Sequence, residues 1–427
     1  MARRALVVVV SCAVLWLALA GQSEARNLRR TLGQPVEHQG GVLAAALAPL
    51  GSVIGSQIAN QIPTLSTSAG FTYEFNPELE IYERSTQNFG PLFSERAITI
   101  GRNKFNINTS YTYIGFDTYD GQDLHHLKSQ VEISADRTRF AGLRRPDLAD
   151  RFSGLTPEQV FTQVGVDLDL EAQLFDLSFT YVLLDNLDVN IDIPVIRTFA
   201  RSTVTELTLD PRFEAVLPPG FDTGPNIVER FSARESSVGI GDIRLRSKYL
   251  AFSGPVRVAG LFDLILPTGS PGNFQGAGYT RLGTFLIASG TITDVLEPHA
   301  QAGVEFNADY LDKSQAKYVV GVTAQLGSVA AATVDFIGRS EFGALERIPN
   351  SARLPAVENG EIIESAPPFT GRPVILDINR NDVLDLAVGG KVAIAQRAIV
   401  FATVTLPLND DGLRADVVPT AGFELSF

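Results

Sequence analysis

The chain has 427 residues, is 45% hydrophobic and 19% charged, and carries a formal net charge of −13. So acidic a balance argues against nucleic-acid binding, which needs basic surface. Beyond Ala25 no apolar run approaches the ~20 residues of a spanning helix, which excludes a helical membrane protein, whereas alternating barrel strands have ordinary average hydropathy and remain allowed.

The N-terminus reads as a secretory signal peptide over residues 1–25. Arg3 and Arg4 form the basic region, Ala5 to Ala20 the apolar core, and Ser23-Glu24-Ala25 a small-residue cleavage site. Val9-Val10-Ser11-Cys12 resembles a lipoprotein box, but the apolar core continues past Cys12 through Leu19. Cleavage after Ala25 removes the one Cys, the one Trp and the one Met (Cys12, Trp16, Met1). The mature chain therefore has no disulfide, Cys-based zinc site or catalytic thiol.

Residues 26–103 form a distinct N-terminal segment. Within it Leu43, Leu47, Leu50, Ile54, Ile58 and Ile62 follow a spacing of three and four. The pattern predicts an amphipathic helix over 41–62, weakened by Pro49 and Gly51. It serves either as a periplasmic linker or as a plug in a lumen. Residues 63–103 read as turn-rich connection with short extended pieces.

From Lys104 to Phe427 the apolar residues alternate with period two. Asp167, Asp169, Glu171 and Gln173 interleave with Leu168, Leu170, Ala172 and Leu174; the phase then flips to Asp176, Ser178 and Thr180. A β-bulge near Phe175 is the expected cause. Similar alternation sets Asp188 and Asp192 against Leu187 and Ile191. It sets Asp242, Arg244, Arg246 and Lys248 against Ile243 and Leu245, and Arg257 and Asp263 against Val256 and Phe262. His299 and Glu305 oppose Val304 and Phe306, and Asp385 and Lys391 oppose Leu384 and Val392.

Connections alternate between very short ones, such as Asp185-Asn186, and long ones near 118–163, 210–237, 268–279 and 341–382. This is the arrangement of outer-membrane barrels, with short periplasmic turns and long external loops. Working back from the C-terminus gives twelve strands, the first over 104–117, if Leu124 to Asp136 only extends a loop. If that segment spans, the count is fourteen. The final octet places Phe423, Leu425 and Phe427 on one face and Gly422, Glu424 and Ser426 on the other. An apolar alternation ending in Phe resembles the insertion signal of Gram-negative outer-membrane barrels. The fold class expected is thus all-β, a transmembrane antiparallel barrel over 104–427, in the bacterial outer membrane.

In such a barrel the polar faces point into the lumen. The expected lumen-facing residues are Asp167, Asp169, Glu171, Asp188, Asp192, Asp242, Arg244, Arg246, Lys248, Arg257, Asp263, His299, Glu305, Asp335, Arg339, Asp385 and Lys391. They form structural ion-pair ladders or line a permeation path. Catalysis has little support. Asp123 and His125-His126 are the one Asp–His pairing, and no G-x-S-x-G, metal-ligand cluster or phosphate loop appears, so neither metal nor cofactor is expected.

Gly239-Ile240-Gly241-Asp242-Ile243, Lys248-Tyr249 and Leu264-Ile265-Leu266-Pro267-Thr268-Gly269 resemble the outer-membrane proteins of the MetA pathway of phenol degradation, as does Tyr181 to Pro194. The resemblance covers half the chain and implies kinship with channels for hydrophobic compounds; it assigns no binding residue. The expected function is a passive outer-membrane channel for small, apolar or aromatic molecules. The alternatives are a surface-interaction barrel using its long loops, and an outer-membrane hydrolase at His125 or His126. The expected partners are outer-membrane lipid, the barrel-assembly machinery and a small-molecule solute.

Overall fold

The computed structural model describes Leu28, Gln57, Ile58, Ser66 and residues 73–76, 81–84, 89–133, 160–207, 228–293, 295–343, 356–358, 361–363, 381–395 and 397–427. The signal peptide lies outside the described residues. So does the 41–62 segment, except Gln57 and Ile58, which are helical.

Twelve antiparallel strands form a closed ring. They are β1 (Phe105–Phe116), β2 (Val160–Leu184), β3 (Leu187–Leu207), β4 (Ile243–Ser253), β5 (Val256–Leu266) and β6 (Arg281–Gly290). The ring continues with β7 (Leu296–Asn307), β8 (Gln315–Leu326), β9 (Ala330–Glu341), β10 (Asp382–Ala395), β11 (Ala398–Pro407) and β12 (Val418–Ser426). Each strand pairs with its successor, and β12 pairs with β1. The closing seam is finished by Phe105 N–H to Phe427 O at 3.1 Å and Phe427 N–H to Phe105 O at 2.8 Å. Closure satisfies every ladder group in the wall, which is what a sheet in lipid requires.

β2 and β3 run far past the ring. The strand Leu127–Ile133 pairs with the outer part of β2, and Val228–Ile240 pairs with the outer part of β3. Each continues the wall slot of a shorter neighbour, β1 or β4, so the segment near Leu124 to Asp136 extends a loop and the barrel has twelve strands. The turns at 185–186, 254–255 and 327–329 lie at one end, and the connections 267–280, 308–314 and 408–417 lie at the other.

Side chains alternate around the wall. On β12, Phe423, Leu425 and Phe427 face outward, while Thr420, Glu424 and Ser426 are buried inside. On β3 the outward face is apolar from Leu187 to Val195, which covers the ~9–11 residues a tilted strand needs to cross a bilayer. Above that band the outward face carries Arg197, Phe199 and Arg201 and the inward face Ile196, Thr198, Ala200 and Ser202, so the inversion on this strand is partial.

The same inversion overturns the expected bulge near Phe175. Pairing of β2 with β3 is unbroken from Gln163 to Val182, and with β1 from Leu170 to Tyr181. Nothing slips; the two faces exchange character. Below Phe175 the outward face is apolar and the inward one polar (Asp176, Ser178, Thr180). Above it the outward face is polar and Leu168, Leu170, Ala172 and Leu174 are buried inward. Asp167, Asp169 and Glu171 therefore face outward on the extension rather than into the lumen. Asp169 meets Arg201 at 3.5 Å there.

Deleting Phe427 removes both seam hydrogen bonds, each worth ~1 kcal/mol net, together with an outward aromatic ring. The expected result is loss of the folded, faster-migrating species in unheated gel electrophoresis of membrane fractions.

Candidate functional site

Residues 89–100 lie inside the barrel as a plug near the short-turn end. The segment has no regular period, and its polar backbone needs partners in the lumen. The wall supplies them. Lys248 Nζ donates to Arg96 O at 2.9 Å and to Ile98 O at 3.0 Å. Ala97 N–H donates to Ser289 Oγ at 3.1 Å, Glu95 N–H to Gln301 Oε1 at 3.2 Å, and Lys391 Nζ to Phe89 O at 3.3 Å.

Buried charges complete the seat. The Arg96 guanidinium grips Glu297 through Nε and Nη2, both at 2.8 Å, with both side chains almost fully buried. Glu95 lies 3.3 Å from Arg246 and 3.9 Å from Lys248. Lys248 also pairs with Asp188 at 3.1 Å, and Lys391 with Glu424 at 3.0 Å. Gly90, at φ +69°, has no room for a Cβ because the Arg96 stem crosses it. Apolar contacts fill the gaps: Ala97 packs on Ala259, Leu261, Phe285 and Ile287, and Phe89 on Ala331 and Ile399.

Other N-terminal points reach the plug or the barrel. Ser66 N–H donates to Leu92 O at 3.0 Å and its hydroxyl to Glu95 Oε2 at 3.2 Å. Gln57 Nε2 donates to Glu341 Oε1 at 3.3 Å, and Leu28 N–H to Asn273 Oδ1 at 3.3 Å.

Above the plug lies a cavity of about 190 Å³. Phe93, Leu261, Phe285, Val319 and Ile337 line its deeper part, and Arg244, Asp263, Glu305, Lys317, Arg339, Asp385 and Arg414 its polar part. The charges are tied in pairs: Arg244 to Asp263 at 3.4 Å, Lys317 to Glu305 at 2.6 Å, and Arg414 to Asp385. A polar lumen wrapped around an apolar recess suits a small, mostly apolar occupant.

The two motifs Gly239–Ile243 and Leu264–Gly269 meet in space. Asp242 accepts from Gly269 N–H at 3.1 Å and Ala277 N–H at 2.9 Å, and pairs with Arg281 at 3.2 Å. The Thr268 hydroxyl donates to Gly241 O at 2.6 Å and accepts from Ile243 N–H at 2.9 Å. Together they clasp the loop 267–280, whose Gln275 amide reaches Ser237 Oγ at 3.2 Å. The motif residues thus hold a loop in place; they are not the lining of the cavity.

The remaining expected residues fall as follows. Asp188, Asp192, Asp242, Arg244, Arg246, Lys248, Asp263, His299, Glu305, Asp335, Arg339 and Lys391 are buried on the inward side, with Arg257 and Asp385 less enclosed on the same face. His299 Nε2 lies 2.6 Å from Asp335 Oδ1, both shut off from solvent. The pair spans a whole strand, and Gly321 between them leaves the gap, since a Cβ there would strike both side chains. His126 pairs with Asp123 at 2.6 Å and His125 with Asp167 at 3.1 Å, all on the exposed loop end. The His126 hydrogen bond holds the Asp123 carboxyl below its usual value. Among the described residues no group of three or more His, Cys, Asp or Glu is placed to hold a metal.

Sequence reasoning missed Glu95, Arg96, Arg281, Glu297, Lys317, Arg414 and Glu424. Glu297 and Arg281 sit on strand positions of inward parity and were findable by that parity. Glu95 and Arg96 were not, because they belong to an aperiodic segment.

No family profile matches the chain, and no curated protein matches it. The phenol-degradation family therefore stays a resemblance. Among solved structures, the COG4313 outer membrane channel from Pseudomonas putida F1 aligns at 9% identity over 78% of this chain and 98% of that one, with a TM-score of 0.42. The toluene transporter TbuX of Ralstonia pickettii aligns at 10% identity over 77% and 90%, TM-score 0.32. The outer membrane protease OmpT of Escherichia coli aligns at 10% identity over 76% and 97%, TM-score 0.27. Likenesses this distant span transporters and a protease alike, and they decide nothing about activity.

Proposed function

We propose that this chain is a channel of the bacterial outer membrane through which small apolar or aromatic molecules diffuse passively, with residues 89–100 as its plug. The observation that carries this reading is the cavity of about 190 Å³ inside a closed barrel, with an apolar recess directly above that plug. A barrel serving only as a surface scaffold has no need of a recess in its lumen, and filling that lumen with side chains suffices. The reading includes export by the signal peptide over 1–25, insertion guided by Gly422, Phe423, Leu425 and Phe427 through the assembly machinery, and a lipid-facing exterior. The lumenal charges Asp188, Asp192, Arg244, Arg246, Lys248 and Asp263 act in it chiefly as the seat of the plug and the polar wall of the path.

Planar-bilayer recording of the refolded full chain tests it. Discrete opening events in potassium chloride are expected. A barrel that stays sealed under all voltages and solutes, including after the plug contacts are removed, rejects the channel.

A further inference from the structure

Two carboxyl groups stand together on the lumenal wall near the closing seam. Asp176 on β2 and Asp192 on β3 both point inward, and the Asp176 carboxyl reaches that of Asp192. Asp176 is 2% exposed and Asp192 4%. No donor serves either oxygen of Asp176, or Oδ1 of Asp192. Ionised carboxylates in contact and out of water repel each other unless a cation or a shared proton lies between them.

The cations of the wall do not fill this role. Asp188 has Lys248 at 3.1 Å, Asp263 has Arg244 at 3.4 Å, and Glu95 has Arg246 at 3.3 Å. Arg246 also donates from Nε to Asn190 Oδ1 at 3.0 Å. Arg246 and Arg244 lie near enough to act on Asp176 electrostatically, but each is tied to a carboxylate of its own. Three cations thus meet three other carboxylates, and Asp176 and Asp192 remain as the surplus negative charge.

A third group points to what is missing. Asn108 on β1 stands opposite Ser178 in register, and Ser178 stands opposite Asp192 on its other side. Asn108 is 2% exposed, and its Oδ1 has no hydrogen-bond partner. A proton shared by the two carboxyls would leave that amide oxygen bare. Ser110, opposite Asp176, and Ser178 add hydroxyl oxygens to the same patch. The donors are all oxygen, without imidazole or thiolate, which selects a hard cation. They come from three adjacent strands with no octahedral symmetry, and calcium, with ~6–8 oxygen ligands in flexible geometry, tolerates this where magnesium does not. We propose that Asp176, Asp192 and Asn108 bind a calcium ion that fastens β1, β2 and β3 together on the lumenal side. None of the three lines the cavity, and the site stands whether or not solutes pass through the barrel.

Calorimetric titration of calcium chloride into the folded, detergent-solubilised full chain, stripped beforehand with a chelator, tests this. Calcium is expected to bind about tenfold or more tighter than magnesium. Asp176→Asn and Asp192→Asn should each weaken it by about tenfold or more. Asn108→Asp, which adds a third carboxylate, should bind calcium tighter than the original. Asp169→Asn removes a carboxylate of the same strand that faces outward to Arg201, and should change nothing. If an aspartate variant misfolds, the Asn108→Asp comparison and the calcium–magnesium contrast on the unaltered chain still decide. Absence of calcium binding overturns the inference and leaves the two carboxyls sharing a proton. Binding that survives both aspartate substitutions, or that Asn108→Asp weakens, overturns it as well, because the ion then sits elsewhere.

Discussion

Lys248→Met is expected to release the plug while leaving the barrel folded. The side chain is 1% exposed, and its ammonium meets Asp188 at 3.1 Å, Glu95 at 3.9 Å, and two plug carbonyls at 2.9 and 3.0 Å. Methionine keeps the stem and removes the charge. Asp188 is then left without its cation, while Glu95 keeps Arg246 at 3.3 Å; removing one partner of a buried pair costs about 3–5 kcal/mol. The barrel wall is held by continuous ladders on every strand, whereas residues 89–100 are held by a few side-chain contacts. Local opening takes the less costly route, so the segment leaves its seat before the wall yields. Two measurements check this. Limited proteolysis should cut within 89–100 in the variant but not in the original, and single-channel conductance should rise several-fold. Unchanged protection of that segment would show that Lys248 is no latch.

Much of the fold was legible because its signals are local. Period-two alternation marks each strand, and turn length marks its ends, so the strand order was read from the chain with the count left at twelve or fourteen; the pairing of Leu127–Ile133 with the outer part of β2 decides for twelve. Parity also placed Arg244, Arg246 and Lys248 on one face, and the structure finds all three inside. What alternation cannot supply is the medium each face touches. On β2 the polar residues Asp167, Asp169 and Glu171 lie outward in water, while Asp176, two turns of the pleat below, lies inward. A contrast between faces is visible in both stretches; alternation does not say which of the two faces turns outward.

The plug was hidden for a different reason. Its contacts are non-local: Arg96 meets Glu297 at a separation of 201 residues, and Lys391 meets Phe89 at 302. The segment has neither helical nor strand period, so nothing within 89–100 distinguishes a lumenal plug from a surface connection. The motifs Gly239–Ile243 and Leu264–Gly269 stood out for the opposite reason. Turn chemistry is written in a few residue types, and Asp242 with Thr268 fastens the loop 267–280 through backbone groups that only those short polar side chains reach.

Locking the plug in place should stop permeation. Cys12 is the only cysteine of the chain, and it lies in the segment that the proposed cleavage after Ala25 would remove. A pair introduced at Ala97 and Ser289 is therefore free of competing thiols. Ala97 N–H already sits 3.1 Å from Ser289 Oγ, and both residues are buried, so the two side chains are within reach of a disulfide or a short thiol crosslinker. Neither position carries charge, and the seat built from Lys248, Arg246 and Glu297 is untouched. In the reduced state the variant should conduct as the original does. Once oxidised, the plug stays seated at every voltage, and openings should fall by about tenfold or more, returning on addition of reductant; a closed state must be this much favoured, ~1.4 kcal/mol or beyond, for such a drop. The control is Lys248→Met in the same background, where the crosslink should cancel the gain in conductance. If oxidised and reduced proteins conduct alike, solutes pass beside a fixed plug, and residues 89–100 form the floor of the path and not its gate.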